Sequence, residues 1–247
     1  MEHALYEQVY QLQQSHWWFA ARRQYVTALL HRYSIAGPVL DVGCGPGSML
    51  SYLTRYGRVT GLDPYRPALK MAGRLFNGPL VQGGIEQLPF RGHQFHLVTA
   101  FEVLYHRGVQ DVTRALRELY RVLVPGGYLI VADSAYQALA SGHDRVSHAA
   151  RRFSRRELKR YLEAAGLEIE TATYAYAAVL PVVFLFRKLQ TLIKSSDEPT
   201  ADLTAVHPWI NRALIRWLAL EARLTRLGPC PFGLSVQLVG KKPAAAI

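Results

Sequence analysis

The stretch that determines the fold runs from residue 41 to residue 47 and reads Asp41-Val42-Gly43-Cys44-Gly45-Pro46-Gly47. An apolar run, residues 39–42, leads into it, and apolar residues recur at helical spacing after it. Glycine takes positive φ readily, so such a turn exposes backbone amides at the start of the following helix. The pattern predicts a strand, a glycine turn and a helix, an arrangement that suits a nucleotide ligand.

The same unit repeats along the next 90 residues or so, since apolar runs alternate with helical patterns. The predicted strands are 39–42, 59–62, 79–82, 95–100 and 128–132, and helices are predicted at 67–76 and 112–123. Pro125-Gly126-Gly127 is expected to end the second of these helices. Alternation of this kind implies a parallel sheet.

Further predicted elements flank this core. Downstream we expect a long loop at 134–153, a helix at 154–166 capped by Ser154, a strand at 167–176, helices at 179–194 and 209–226, and a final strand at 233–239. Upstream, residues 5–33 are expected to form one or two helices interrupted around Ser15. The 247 residues suit one domain, divided into an N-terminal helical lid (1–35), a core (36–133) and an acceptor-side part (134–247).

Charge and cysteine content narrow the choice of partners and compartment. The net charge of +11 favours an anionic partner, although an arginine-rich solvated surface is equally compatible with it. The two cysteines, Cys44 and Cys230, exclude a disulfide framework and a cysteine-rich zinc site. No apolar run approaches the roughly 20 residues of a membrane span, and we see no secretory signal. These features predict a cytoplasmic protein.

An acidic residue, Asp63, follows the second strand. A carboxylate there can accept hydrogen bonds from both ribose hydroxyls of an adenosine. The glycine spacing Gly43, Gly45, Gly47 is G-x-G-x-G, which lacks the third glycine position of the dinucleotide pattern G-x-G-x-x-G. The turn and the acid together indicate an adenosine site.

The chain resembles the class I S-adenosylmethionine-dependent methyltransferases in four segments. These are 41–47, Gly61-Leu62-Asp63-Pro64, Glu86-Gln87-Leu88-Pro89-Phe90, and Leu123-Val124-Pro125-Gly126-Gly127-Tyr128-Leu129. The resemblance implies a Rossmann-like α/β fold of seven strands in the order 3-2-1-4-5-7-6, with the last strand antiparallel and a helical insertion before it. It also implies S-adenosylmethionine as cofactor, over the carboxyl ends of strands one to four.

Carried over position by position, the resemblance assigns most of the cofactor site. The residues are Asp41, Gly43, Cys44, Gly45, Gly47, Asp63, Pro64, Ile85, Glu86 and Phe101. Cys44 is expected to pack in the turn rather than act as a nucleophile. Many relatives have an aspartate that accepts from the adenine amine, whereas this chain reads Gly83-Gly84-Ile85-Glu86, so a backbone carbonyl or Glu86 would have to replace it. Glu102, next to Phe101, is either a pocket residue or a surface acid.

Three aromatic and two arginine residues lie close together near the N-terminus, in His16-Trp17-Trp18-Phe19-Ala20-Ala21-Arg22-Arg23. Trp18 is expected to cover the cofactor pocket, and Arg22 or Arg23 to bind the methionine carboxylate as a fork. The alternative is a helix that merely packs on the core.

Residues 141–153 include His143-Asp144-Arg145-Val146-Ser147-His148 and Arg151-Arg152-Phe153. With the tryptophan-rich helix, this loop resembles a subgroup of type 11 methyltransferases with the pattern H-D-x-x-x-H-x-x-R. His148 or His143 is the first candidate for a general base, and His106 and Tyr105 are the second. Asp144, Arg151 and Arg152 are candidates for substrate binding; loop bracing and metal binding are the alternatives.

The resulting hypothesis is a methyltransferase acting on a small molecule at oxygen or nitrogen. The acceptor is expected to be anionic, linked to lipid or glycan, or a secondary metabolite. One alternative is an RNA or protein methyltransferase, although we expect no stable nucleic-acid complex; the other is an inactive cofactor-binding partner. The helix around 176–193 is a candidate for peripheral lipid contact, and the protein is expected to be a monomer or a homodimer.

Overall fold

A computed structural model of the chain describes residues 3–137, 147–185 and 206–244. It contains a seven-stranded sheet in the order β3-β2-β1-β4-β5-β7-β6, which confirms the predicted topology. The strands are β1 Val39–Val42, β2 Val59–Asp63, β3 Leu80–Gln82, β4 Phe95–Phe101, β5 Leu123–Ser134, β6 Glu168–Ala175 and β7 Ser235–Lys241. Neighbours among β1 to β5 are parallel. As expected, β7 is antiparallel, both to β5 and to β6.

Helices flank the sheet and precede it. They are α1 His3–Leu12, α2 Trp17–Leu30, α3 Leu50–Leu53 with a 3-10 turn at Thr54–Tyr56, α4 Arg66–Ala72, α5 Val112–Val122, α6 Arg155–Ala164 and α7 Pro208–Leu224. Residues 180–185 are also helical. Ser154 caps α6 as predicted, because its Oγ accepts from the Glu157 amide at 3.2 Å. None of the helices in the described ranges has the length and apolar character needed to cross a bilayer.

The start of β5 differs from the prediction. The strand begins at Leu123 rather than at residue 128, so the Pro-Gly-Gly segment lies within it. Gly126 has a φ of +77° and donates its amide to the carbonyl of Lys242 at 2.9 Å. The amide of Lys242 in turn donates to Gly127 at 2.8 Å. These bonds to the end of the chain, which a local pattern cannot show, explain the longer strand.

Two apolar clusters cover the two faces of the sheet. Leu40, Val98 and Val131 belong to one, whereas their strand neighbours Val39 and Leu97 belong to the other. Successive side chains of a strand point to opposite faces, and burial of both faces is typical of a parallel sheet covered by helices. Because β1, β2 and β4 are parallel, their carboxyl ends lie at the same end of the sheet. The loops that follow these strands are where ligands bind in such sheets.

The N-terminal segment forms two helices, with the break near Ser15 that the sequence predicts. Asn211 of α7 holds this break: its Oδ1 accepts from the Trp17 amide at 2.8 Å, and its Nδ2 donates to the Ser15 carbonyl at 2.9 Å. The His16 ring accepts from the Trp18 amide and caps α2. The lid is thereby fixed to α7.

Candidate functional site

A pocket of about 1030 Å³ lies at the carboxyl edge of the parallel strands. Its wall combines the glycine turn after β1, Asp63 at the end of β2, the segment after β4, and the first two helices. Ser147, Arg152, Val179, Val183 and Leu234 line it as well. Drug-sized ligands occupy pockets of roughly 300–1,000 Å³, so this volume suits a cofactor together with a second small molecule.

The glycine turn adopts a backbone that side chains disfavour. Gly43, Gly45 and Gly47 have φ values of +70°, +53° and +94°. A Cβ on Gly43 would lie 2.4 Å from Val103, whereas one on Gly45 would meet only Tyr6, at 3.9 Å. Gly45 thus leaves open space on its pocket side. Gly43, Cys44 and Gly45 line the pocket, and Gly47 lies beyond its lining.

Asp63 is a buried carboxylate fixed by two backbone amides. Its Oδ2 accepts from Gly45 at 2.9 Å and its Oδ1 accepts from Tyr65 at 2.8 Å. Burial raises the pKa of this carboxyl, and the two amides act in the opposite direction. Each oxygen retains acceptor capacity toward the pocket, so the geometry fits the two hydroxyls of a ribose.

Asp41 lies behind the turn rather than in the pocket wall. Its Oδ1 accepts from Thr99 Oγ1 at 2.7 Å, and only 3% of the residue is exposed. Burial raises the pKa of Asp41 to about 7, although Thr99 and the charge of Arg22 oppose that rise. The structure thus gives Asp41 a buried hydrogen bond to β4 and no place in the pocket wall.

Helix α1 covers the glycine turn from above. Tyr6 lines the pocket and stacks on Tyr65, with 4.7 Å between ring centroids. Gln13, just past the helix, donates from Nε2 to the Pro46 carbonyl at 3.2 Å. The N-terminal segment thus lies against Gly45 and Pro46 of the turn, a role for Tyr6 and Gln13 that their sequence context does not reveal.

The two neighbouring arginines of α2 have different environments. Arg22 lines the pocket, is 9% exposed and lies over the ring of Phe101 at 5.8 Å. Its Nη2 approaches Glu102 Oε1 at 3.9 Å. Arg23 is absent from the pocket wall and donates to the Gln13 carbonyl at 3.2 Å. Between the two predicted carboxylate ligands, the geometry favours Arg22 and gives Arg23 a bracing contact.

Trp18 lines the pocket and stacks on Tyr176, with ring centroids 4.3 Å apart and planes 12° from parallel. Tyr176 follows β6 with a φ of +62°. Its amide donates to the Tyr25 hydroxyl at 3.0 Å, and that hydroxyl donates to Glu221 of α7 at 2.6 Å. Hydrogen bonds through Tyr25 therefore connect the stacked rings of Trp18 and Tyr176 to α7.

The predicted adenine side of the pocket contains Pro64, Ile85 and Glu86. The carboxylate of Glu86 accepts from the amides of Asp111 at 2.7 Å and Gln110 at 3.3 Å. Glu86 is thus engaged in holding the loop before α5. Each of its oxygens keeps acceptor capacity, so Glu86 and a backbone carbonyl both remain predicted acceptors for the adenine amine.

Two acidic residues meet at the ends of β4 and β5. Glu102 lines the pocket, has a φ of +58° and accepts from Ser134 Oγ at 3.0 Å. Asp133 is fully buried, and its Oδ2 has no hydrogen-bond partner within the described ranges. Burial, reinforced by Glu102, raises the pKa of Asp133 well above its ordinary value. Sequence reasoning missed Asp133, since only the pairing of β4 with β5 reveals its neighbour.

Tyr105 and His106 follow strand β4, and both line the pocket. The His106 Nδ1 accepts from the Gly108 amide at 3.0 Å, so the neutral ring carries its proton on Nε2. Burial, with smaller effects from His148 and Arg107, lowers the pKa of His106 to about 4. Burial also raises the pKa of Tyr105. At pH 7 both side chains are neutral hydrogen-bond donors.

The remaining predicted residues are distributed unevenly. His148 has a φ of +56° and packs its ring 5.8 Å from that of His106, behind the pocket wall. Arg152 lines the pocket, whereas Arg151 donates to the carbonyls of Val109 and Leu104 and lies outside the lining. His143 and Asp144 lie outside the described residues, as does most of the helix predicted at 179–194.

Comparison with known proteins bears on this geometry. Residues 40–131 match the model of the methyltransferase domain family. Over 101 residues the chain is 41% identical to a phthiotriol/phenolphthiotriol dimycocerosates methyltransferase of Mycobacterium ulcerans, covering 38% of this chain and 36% of that protein. Over 119 residues it is 37% identical to the demethylmenaquinone methyltransferase of Listeria welshimeri, covering 44% and 50%. The chain thus spans between a third and a half of these relatives' lengths.

Among solved structures, the chain is similar to a methyltransferase in complex with the Haloferax volcanii Trm112 activator. The TM-score is 0.64 at 21% identity, over 99% of this chain and 96% of that one. The shared sheet order and the matched segment define a class I methyltransferase fold. Residues 40–131 are thus similar to the methyltransferase domain family, and the whole chain shares the fold of that solved structure.

Proposed function

We propose that this protein transfers a methyl group from S-adenosylmethionine to oxygen or nitrogen of a small, largely apolar molecule that bears an anionic group. One pocket whose wall includes both Asp63 and Arg152 carries this proposal. Asp63 fits a ribose. Val179, Val183 and Leu234 supply apolar parts of the same wall, and Arg152 supplies a positive charge.

The residues present fit the ribose and the methionine carboxylate of the cofactor. Asp63 would accept from the ribose, and the open side of Gly45 admits the ligand against the backbone. Arg22, with its guanidinium between Phe19 and Phe101, would bind the methionine carboxylate. When bound, the cofactor supplies an electrophilic methyl group on a positively charged sulfur.

The protein's own part in the reaction is to align the acceptor. Alignment of the acceptor atom with the cofactor's methyl group would be the main catalytic contribution of the chain's own residues. His106 Nε2–H and the Tyr105 hydroxyl are donors that would hold an acceptor oxygen. A carboxylate or phenolate has no proton to lose and needs no base. For a neutral hydroxyl or amine, His106 is the predicted base that the pocket wall contains, since His148 lies behind that wall.

We infer a cytoplasmic location, supported by two free thiols, Cys44 and Cys230. A small-molecule partner is favoured over RNA or protein because the lid helices cover the pocket. Lipid or glycan linkage of the acceptor is compatible with the apolar wall.

The proposal is tested first by calorimetric titration with S-adenosylmethionine and S-adenosylhomocysteine, with NADH as control. Binding of the sulfur ligands alone is expected, and failure to bind them would overturn the proposal. Transfer of labelled methyl is then measured on matched apolar carboxylic acids, phenols, amines and alcohols. Turnover restricted to RNA or to polypeptides would overturn the small-molecule assignment while leaving the cofactor site intact.

A further inference from the structure

Helix α7 has an exposed apolar stripe along its outer side. Trp209 and Trp217 are each 62% exposed, Leu220 is 53% exposed and Leu224 is 54% exposed. Leu227, in the turn after the helix, is 86% exposed. These residues follow one another at intervals of eight, three, four and three positions, which places them on one face of a helix. The opposite face, with Leu218 and Ala222, is buried.

A row of arginines borders this stripe. Arg212, Arg216 and Arg223 are exposed and also share one side of the helix, next to the apolar residues. The helix contains one acidic residue, Glu221. Its carboxylate is turned inward and accepts from the amides of Ala177 and Ala178 at 2.8 and 3.0 Å. The outer side of α7 therefore combines large apolar side chains with positive charge that no acidic residue of the helix itself offsets.

This combination points to one kind of partner. Helices that lie in the interface of a membrane carry tryptophan and leucine on one face and arginine beside it, and they bind anionic lipid best. Tryptophan is favoured at the boundary between headgroups and acyl chains. A second copy of the chain fits less well, because antiparallel two-fold pairing of this helix would place the arginine rows of both copies together.

The surface is also connected to the pocket. Glu221 binds the amides of Ala177 and Ala178, and the helical residues 180–185 begin immediately afterwards. Val179, directly before this helical segment, and Val183 within it line the pocket. Val182 and Leu185 of the same segment are 67% and 60% exposed. One end of the pocket is thus built from a segment that also presents apolar side chains to the outside.

We propose that the outer side of α7, formed by Trp209, Trp217, Leu220, Leu224 and Leu227 with Arg212, Arg216 and Arg223, docks the protein on an anionic membrane surface. The docking is peripheral, with the helix parallel to the membrane plane. It is independent of the methyl-transfer proposal, because it requires neither cofactor nor acceptor.

The test is sedimentation of the full chain with vesicles of phosphatidylcholine containing about a third phosphatidylglycerol, compared with phosphatidylcholine alone. Binding is expected on the anionic vesicles and is expected to weaken as salt increases. The double variant Arg212→Ala/Arg216→Ala should bind about thirtyfold more weakly. The matched control is Arg156→Ala/Arg160→Ala on α6, which removes two exposed arginines at the same spacing and should bind as the wild type does.

The apolar stripe is tested separately with Trp217→Ser/Leu220→Ser, which should reduce vesicle binding about tenfold or more. Leu75→Ser, at an exposed leucine after α4, is its control. Circular dichroism and thermal unfolding verify that each variant is folded. If the α6 variant and the α7 variant weakened vesicle binding equally, the effect would depend only on net charge, and the proposal would be overturned. The proposal would also be overturned if the wild-type protein failed to bind vesicles at low salt. It would equally be overturned if the wild type were a dimer and the variant Trp217→Ser/Leu220→Ser a monomer.

Discussion

The backbone amide of Gly45 donates to the Asp63 carboxylate at 2.9 Å, so the glycine turn after β1 and the acid after β2 are joined directly. The Tyr65 amide fixes the other oxygen of the same carboxylate. This bond orients the acid toward a ligand that contacts the turn. Preorganised acceptors bind without a further ordering cost.

Asp63→Ala should weaken the binding of S-adenosylhomocysteine by about 1.5–3 kcal/mol, or roughly ten- to a hundredfold in Kd, because hydrogen bonds to a charged acceptor are lost. Calorimetric titration measures it. Asp111→Ala is the matched control: Asp111 also accepts from two backbone amides, those of Thr113 and Arg114, but it lies outside the pocket wall. Similar affinity losses in both variants would contradict the ribose assignment.

Arg22→Ala and Arg23→Ala should separate two adjacent arginines. Arg22 lines the pocket, so its loss should lower the affinity for S-adenosylhomocysteine by about tenfold or more. Arg23 contacts the Gln13 carbonyl, and its loss should lower thermal stability with affinity largely kept. Calorimetric titration measures the affinity of each variant for S-adenosylhomocysteine, and thermal unfolding measures its stability. If Arg23→Ala lost affinity and Arg22→Ala kept it, the carboxylate site would have to be reassigned.

Tyr6→Ala should accelerate dissociation of the cofactor, since it removes the ring that covers the turn and stacks on Tyr65. Most affinity differences in related complexes reside in the dissociation rate. Stopped-flow displacement of S-adenosylhomocysteine would show the change. Tyr10→Ala, on the same helix but outside the pocket wall, should dissociate at the wild-type rate. An unchanged rate for Tyr6→Ala would mean that the lid opens by another route.

His106 should remain neutral down to about pH 4, as burial lowers its pKa. In the unfolded chain a histidine titrates near pH 6.5. The unfolded state therefore binds more protons between these values, and the stability linked to this residue is complete above about pH 6.5 and decreases as the pH falls toward 4. NMR titration of the imidazole measures the folded pKa. A midpoint near 6.5 would exclude the buried neutral ring, and His148→Ala should raise the midpoint.

The sequence was sufficient for the features that depend on local patterns. The glycine turn, Asp63, the break at Ser15 and the cap at Ser154 all follow from residue types at fixed spacings. The strand order could be predicted only from the resemblance to a known family. The antiparallel position of β7 between β5 and β6 produces no pattern in the local sequence.

Contacts between distant segments could not be predicted. Glu86 is occupied by amides 24 and 25 residues further along the chain. Asp133 and Glu102 are neighbours only because β4 and β5 pair in one register. Arg22 and Arg23 are adjacent and chemically alike, and only the folded structure shows that Arg22 lines the pocket whereas Arg23 contacts Gln13.

The position of β7 has a consequence for biosynthesis. β6 borders only β7, and β7 is the last strand along the chain. During translation, residues 168–175 must therefore wait for residues 235–241 before they acquire a hydrogen-bonded neighbour. Until then the outer edge of β5 is also open, and exposed strand edges favour association with other chains. A nascent chain stalled before Ser235 should need a chaperone to remain monomeric, although its glycine turn and Asp63 would already have been synthesised.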